Sequence, residues 1–162
     1  MYLSDKKQHV DNFTSIDHMA PRCTSNEHFK GVLDDAAVAN FAGRITVRPD
    51  AQQTEAYQAN NNLLLTDTAQ VNTKPQLVID ADDVKCSHGA TVGQIDEEAM
   101  FYLRSRGIGE AEARMMMMFG FAHEIVGRVK LAPLRDEIDN LVDKRLRGEL
   151  TKCHNCVMHC KK

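Results

Sequence analysis

Tryptophan is absent from this chain of 162 residues, and aromatic residues make up only 6% of it. A surface that stacks successive bases on aromatic rings is therefore not expected. Lysine and arginine do not gather on any one segment, and the formal net charge is -3, so tight nucleic-acid binding is not expected either. The longest apolar run, Met115 to Ala122 (MMMMFGFA), is far too short to cross a bilayer. No basic start leading into an apolar stretch marks a signal peptide. The nucleophile-elbow, Walker and GxGxxG patterns are all missing, and with them any argument for a hydrolase or nucleotide site. Five cysteines, three of them within the last ten residues, do not make the paired framework of a secreted scaffold. A cytoplasmic protein with reduced thiols is the expectation.

What remains is 43% hydrophobic, enough for one real core. Residues 1–94 and those after them differ in texture. The first block alternates short β-prone pieces, such as 38–47, 61–71 and 75–84, with Asp, Asn, Gly and Pro. Ile45 and Val47, then Leu77 and Ile79, keep the two-residue period of a strand. No helical stretch of ten residues separates the pieces, which argues against a βαβ sheet. A β-sandwich and a parallel β-helix both fit, and no strict repeat decides between them. Asn60, Asn61 and Asn62 suit a corner, where Asn tolerates left-handed backbone.

Residues 95–150 read as a small helical block. Asp96 is placed to cap a first helix that carries Glu97 and Glu98 in its first turn and stops at Gly107. A second helix starts near Glu110, with Met115, Met118, Ala122, Ile125 and Val129 along one stripe. A third starts at Pro133, carries Leu134, Ile138, Leu141 and Val142 on one face, and closes at Gly148. Residues 151–162 form a Cys/His-rich tail.

Three features carry possible chemistry. Cys86 and His88, two apart in a strand, point to the same face, and thiolate and imidazole both suit iron or zinc. Two ligands do not complete a site, so the plain alternative is a small core cysteine and a satisfied histidine. The four consecutive Met at 115–118 point in different directions around a helix, so Met115 and Met118 belong to the core and the others to an adaptable surface. In the tail, Cys153-x-x-Cys156 with Cys160 is a hook for a metal, although no second CxxC completes a zinc ribbon. His9, His18, His28 and His123 have no spacing that implies a ligand set.

The wording of three stretches goes further than periodicity. QHVDNFTSIDHMAPRCTSNEHFKGVL, NNNLLLTDTAQVNTKPQLVIDADDVKCSHGATVGQIDEEAMFYLRSRGI and the helix after them closely resemble the SufB/SufD family, the scaffold subunits of SUF iron–sulfur cluster assembly. HGAT at 88–91 resembles the SufD branch, where SufB members read HEAT. The match runs from the start to about Val129. The resemblance implies a mainly β fold with a C-terminal α subdomain: residues 1–94 as the last coils of a right-handed parallel β-helix, then the helical block. It implies a scaffold and not an enzyme, paired with a SufB-like subunit through the end of the β-helix. The helical block would dock a SufC-like ATPase, with contacts among Met116, Met117, Phe121 and Leu131. A nascent iron–sulfur cluster would form at the subunit seam, where His88 contributes and Cys86 has a less certain part. No cluster is expected to stay tightly bound to this chain alone. Family members are much longer, so the chain reads as a C-terminal part of one, and self-association as a homodimer is expected. The Cys-rich tail is no family motif, and a small metal-binding module built on it is the alternative. A third reading, a sugar-active enzyme on a β-helix, lacks the carboxylates it would need.

Overall fold

The computed structural model describes residues 1–149. Its first compact unit, Met1–Ile95, is built from seven strands: β1 (Tyr2–Ser4), β2 (His9–His18), β3 (Thr24–Leu33), β4 (Val38–Val47), β5 (Thr54–Leu64), β6 (Gln70–Ile79) and β7 (Val84–Gln94). Odd strands form one sheet in the order β1-β3-β5-β7, and even strands form the other, β2-β4-β6. Every pairing is parallel. The chain therefore winds through one sheet, then the other, as a parallel β-solenoid of about three turns. A sandwich of antiparallel hairpins is ruled out.

The repeat is present but hidden. Val38 lies on His9, 29 positions on, and Glu55 lies on Thr24, 31 on. Gln70 lies on Val38, 32 on, and Val84 lies on Thr54, 30 on. The corners absorb the difference while the strands stay in register. Four corner residues that are not glycine adopt left-handed backbone: Lys6 (φ 55°), Asp35 (φ 54°), Arg22 (φ 60°) and Gln53 (φ 60°). Each such residue costs about 1–2 kcal/mol. Stacking of equivalent corners offsets this. The Lys6 amide donates to Asp35 Oδ2 at 3.0 Å, the Arg22 amide to the Gln52 carbonyl at 2.8 Å, and Arg22 Nε to Gln53 Oε1 at 3.2 Å.

The corner expected at Asn60–Asn62 is not there. These residues lie within β5, with Asn60 and Asn62 facing inward and buried. Asn62 Nδ2 donates to Asn60 Oδ1 at 2.7 Å, and the Tyr2 hydroxyl donates to Asn62 Oδ1. The amide pair satisfies itself inside the coil, so it does not need a turn. Gly31 gives it room: a Cβ there would come within 2.3 Å of the Tyr2 ring and 2.5 Å of Asn62 Oδ1.

Two apolar clusters fill the ends of the flattened coils. Ile45, Val47, Ala51, Ala56 and Ala81 lie by the β4–β5 corner, and Leu33, Ala37, Ala39 and Ala69 by the β3–β4 corner. The inward positions between them are mixed. Phe41 packs against Phe29 at 5.0 Å between ring centres, but Asn12, Thr14, Gln58 and Thr73 are polar. Asn12 Nδ2, Thr14 Oγ1, Gln58 Oε1 and Thr73 Oγ1 are buried without a hydrogen-bond partner.

The second unit begins at Asp96 and holds α1 (Glu97–Ser105), α2 (Glu110–Val126) and α3 (Ala132–Leu146). Asp96 caps α1, accepting from the amides of Glu98 and Ala99 at 2.9 and 3.2 Å. Gly107 (φ 86°) and Gly148 (φ 75°) take the left-handed backbone that ends α1 and follows α3. The buried side of α2 is Ala113, Met118, Ala122 and Val126, so the expected stripe is rotated and Met115 is only half-buried. Of the face expected on α3, Val142 is buried, whereas Leu134 and Leu141 stay exposed. Three short helices enclose too little volume to bury every apolar side chain they carry.

Candidate functional site at the open edge

The last coil ends in β7, an edge strand of eleven residues. β5 pairs with its inner side, and among the described residues no strand pairs with the other. Alternation along β5, where Thr54, Ala56, Gln58, Asn60 and Asn62 are buried, fixes which β7 positions face inward. Cys86 lies on Ala56, His88 on Gln58, Ala90 on Asn60 and Val92 on Asn62. Cys86 and His88 thus share the inward face, as the spacing suggested. No further coil covers them within this unit.

Their surroundings differ. Cys86 is half-buried as a free thiol and packs against the cluster of Ile45, Val47 and Ala56. His88 is exposed and makes no side-chain hydrogen bond to any described residue. β7 is pinned elsewhere. Lys85 Nζ donates to Glu55 Oε1 at 3.1 Å, Asn61 Nδ2 to Thr91 Oγ1 at 2.8 Å, and Gln94 Nε2 to Asp67 Oδ1 at 2.7 Å. The Glu55 carboxylate holds the Lys85 ammonium above its ordinary pKa, first by hydrogen bond and then by charge. Strand position is therefore set by neighbours of Cys86 and His88; the His88 ring stays unbonded among the described residues, and Cys86 is held by packing alone.

Among the described residues, no three of His, Cys, Asp and Glu converge to hold a metal ion. Cys86 and His88 supply two donors, a sulfur and a nitrogen, to whatever approaches the edge. Gly89 and Gly93 make neither a sharp turn nor a close approach here. A Cβ at either would meet nothing within 4 Å, and the strand runs straight through both. Cys153, Cys156 and Cys160 lie outside the described residues.

Sequence reasoning missed the file beneath His88. Glu27, Gln58 and His88 occupy one inward column in β3, β5 and β7. Gln58 Nε2 donates to Glu27 Oε2 at 2.5 Å. The only signal was a spacing of 31 and then 30 positions, hidden by the drift of the coil period.

The helical unit has a surface of its own. A groove of about 840 Å³ is lined by Met115, Met116, Phe119 and His123, with Asp143 and Arg147 at its polar side. His123 stacks on Phe119 and lies 3.2 Å from Asp139 Oδ1 through Nδ1. Met116 is 49% and Leu131 63% exposed, whereas Met117 and Phe121 are half-buried.

No helix of the described residues is long and apolar enough to cross a membrane. Residues 1–121 match the family model described as "SUF system FeS cluster assembly, SufBD core domain". The iron–sulfur cluster assembly protein SufD of Escherichia coli is 43% identical over 143 residues, covering 88% of this chain and 34% of that protein. An iron–sulfur cluster assembly SufBD family protein of Synechocystis is 41% identical over 150 residues, 93% of this chain and 30% of the relative. The chloroplastic protein ABCI7 of Arabidopsis thaliana is 39% identical over 128 residues, 78% of this chain and 26% of the relative. The chain spans between about a quarter and a third of the length of these curated relatives. A parallel solenoid ending in an open strand, joined to three helices and matched over three-quarters of its length, places this chain in the SufBD core family of SUF iron–sulfur cluster assembly.

Proposed function

We propose that this chain serves as a SufD-like scaffold in the cytoplasm, without enzymatic turnover of its own. Its β7 edge pairs with a SufB-like subunit, and a nascent iron–sulfur cluster, the cargo of the assembly, forms at that seam. The observation that carries the reading is the eleven-residue edge strand with Cys86 and His88 on its inward face. An unpaired edge of that length is a template for another strand. A partner strand laid on it would bring its own ligands beside His88, which answers how two donors in one chain suffice. Bare backbone at Gly89 and Gly93 leaves open space for that approach. The helical unit, with its apolar groove and exposed Met116 and Leu131, is the proposed seat of a SufC-like ATPase.

The test is a pull-down with SufB and SufC subunits, followed by iron and sulfide analysis of the recovered complex. Capture of both partners, with cluster lost on His88→Ala, is the expected result. Capture that persists unchanged when residues 82–94 are scrambled would sink the edge assignment. Removing residues 151–162 should leave capture and cluster intact; loss of all bound metal would favour a tail site instead.

A further inference from the structure

We infer that Gln58 is a positioning residue for His88: when the edge is paired, its buried carbonyl oxygen accepts a hydrogen bond from one ring nitrogen of His88 and leaves the other nitrogen's lone pair to the metal at the seam. This rests on the seam reading above and adds to it a residue with no exposure to the seam.

Three observations converge on the Gln58 amide. First, its orientation is locked. Nε2 lies 2.5 Å from Glu27 Oε2, and a carboxylate only accepts, so the nitrogen is the atom committed to Glu27 and the oxygen is the free one. Second, space is made for it. A Cβ on Gly43, across the coil in β4, would lie 2.3 Å from Gln58 Nε2 and 2.8 Å from its Cδ. Third, Oε1 is buried without a partner in a residue only 3% exposed. A buried amide oxygen left unpaired costs about 1–3 kcal/mol, so a donor brought to it is stabilised.

His88 is the residue that register brings to it. It stands directly above Gln58 on the inward face, one strand spacing of about 4.8 Å away. Its ring has no hydrogen bond among the described residues, so nothing in the open edge selects between its two neutral tautomers. Covering the edge turns the last coil into an interior one and excludes water from the ring. The acceptor below then decides which nitrogen carries the proton. Metal-ligating histidines are held in this way by a partner on the far nitrogen.

The experiment uses the full chain paired with a SufB-like subunit and cobalt(II) as the probe, titrated against a chelator. Variants are His88→Ala, Gln58→Met and Gln58→Glu, each with a melting curve. Gln58→Met keeps the bulk and removes the acceptor, and should weaken cobalt(II) binding by about 10–100-fold. Gln58→Glu keeps an acceptor at the same reach and should retain binding, even though it sets a second carboxyl against Glu27 and lowers the melting point. A packing role predicts the opposite order, and that order would overturn the inference. Nitrogen-15 shifts of His88 in the paired wild-type chain give a reading that needs no variant. One fixed tautomer is expected, and averaged ring nitrogens would count against it. If His88→Ala leaves cobalt(II) binding unchanged, the seam reading itself fails. If His88→Ala abolishes binding and Gln58→Met does not alter it, only the role of Gln58 falls.

Discussion

Cys86 and His88 are two residues apart, yet their substitutions should behave differently. His88 is exposed and unbonded, so His88→Ala should change stability by no more than the roughly 1 kcal/mol of an ordinary point substitution. Cluster formation in the paired complex should nevertheless fall sharply, as reconstitution with iron and sulfide would show. Cys86 packs on the Ile45 and Val47 cluster, so Cys86→Ser should lower the melting point more than His88→Ala while affecting the cluster less. An equal loss of cluster in both variants would make Cys86 a ligand. Acid sensitivity also resides in single residues. Arg48 donates to both carboxylate oxygens of Asp17, at 3.0 and 2.8 Å, and holds that carboxyl below its usual pKa, chiefly through the hydrogen bond. Asn40, donating at 2.6 Å, does the same for Asp11. Both folded-state values lie below the unfolded ones. Their stabilisation is therefore complete above the unfolded value of about 4 and is lost as pH falls through the folded one. The melting temperature should decline as pH drops below about 4, and less steeply in Asp17→Asn. Both carboxylates are exposed, so the difference should shrink in high salt.

At the scale of elements, the helix signals were the most legible. Asp96, Gly107 and Gly148 mark their helix ends as written, because caps depend on a few local atoms. Asp96→Ala should cost about 1 kcal/mol, measurable as a loss of helical signal on heating. The faces of the helices were less legible. Periodicity says that α2 has an apolar side but not which part of it meets α3, and the buried set is rotated from the expected stripe. Strands could be read from alternation at Ile45, Val47, Leu77 and Ile79, although Ile79 stays exposed, but their stacking could not, since coil lengths vary at corners built from Lys, Arg, Asp and Gln. The Asn60–Asn62 run misled for a related reason. Its propensity is for turns, and burial beside Tyr2 and Gly31 overrode it. Cys86 and His88 were found from their spacing and their common face. Gln58 was not, since its meaning depends on what stands above and below it.

For the molecule as a whole, the open β7 edge is where association is expected. β7 has no strand on its outer side among the described residues, and self-pairing is the expected consequence at high concentration. Sedimentation should give a mass that rises with concentration. Gly89→Lys adds a charge where a side chain meets nothing within 4 Å, so it should fold normally and reduce that rise. A mass fixed at one chain across the range would exclude self-pairing. The drifting but faithful register of the coils has another consequence. Because Leu64 lies on Leu33 and Gln70 on Val38, excising residues 34–64 would seat β6 on β2 and β7 on β3 without breaking either ladder. The solenoid is thus a ruler graduated in steps of about 4.8 Å. Whole graduations can be removed or added, while the strand that terminates the scale, and the thiol and imidazole it bears, remain the same.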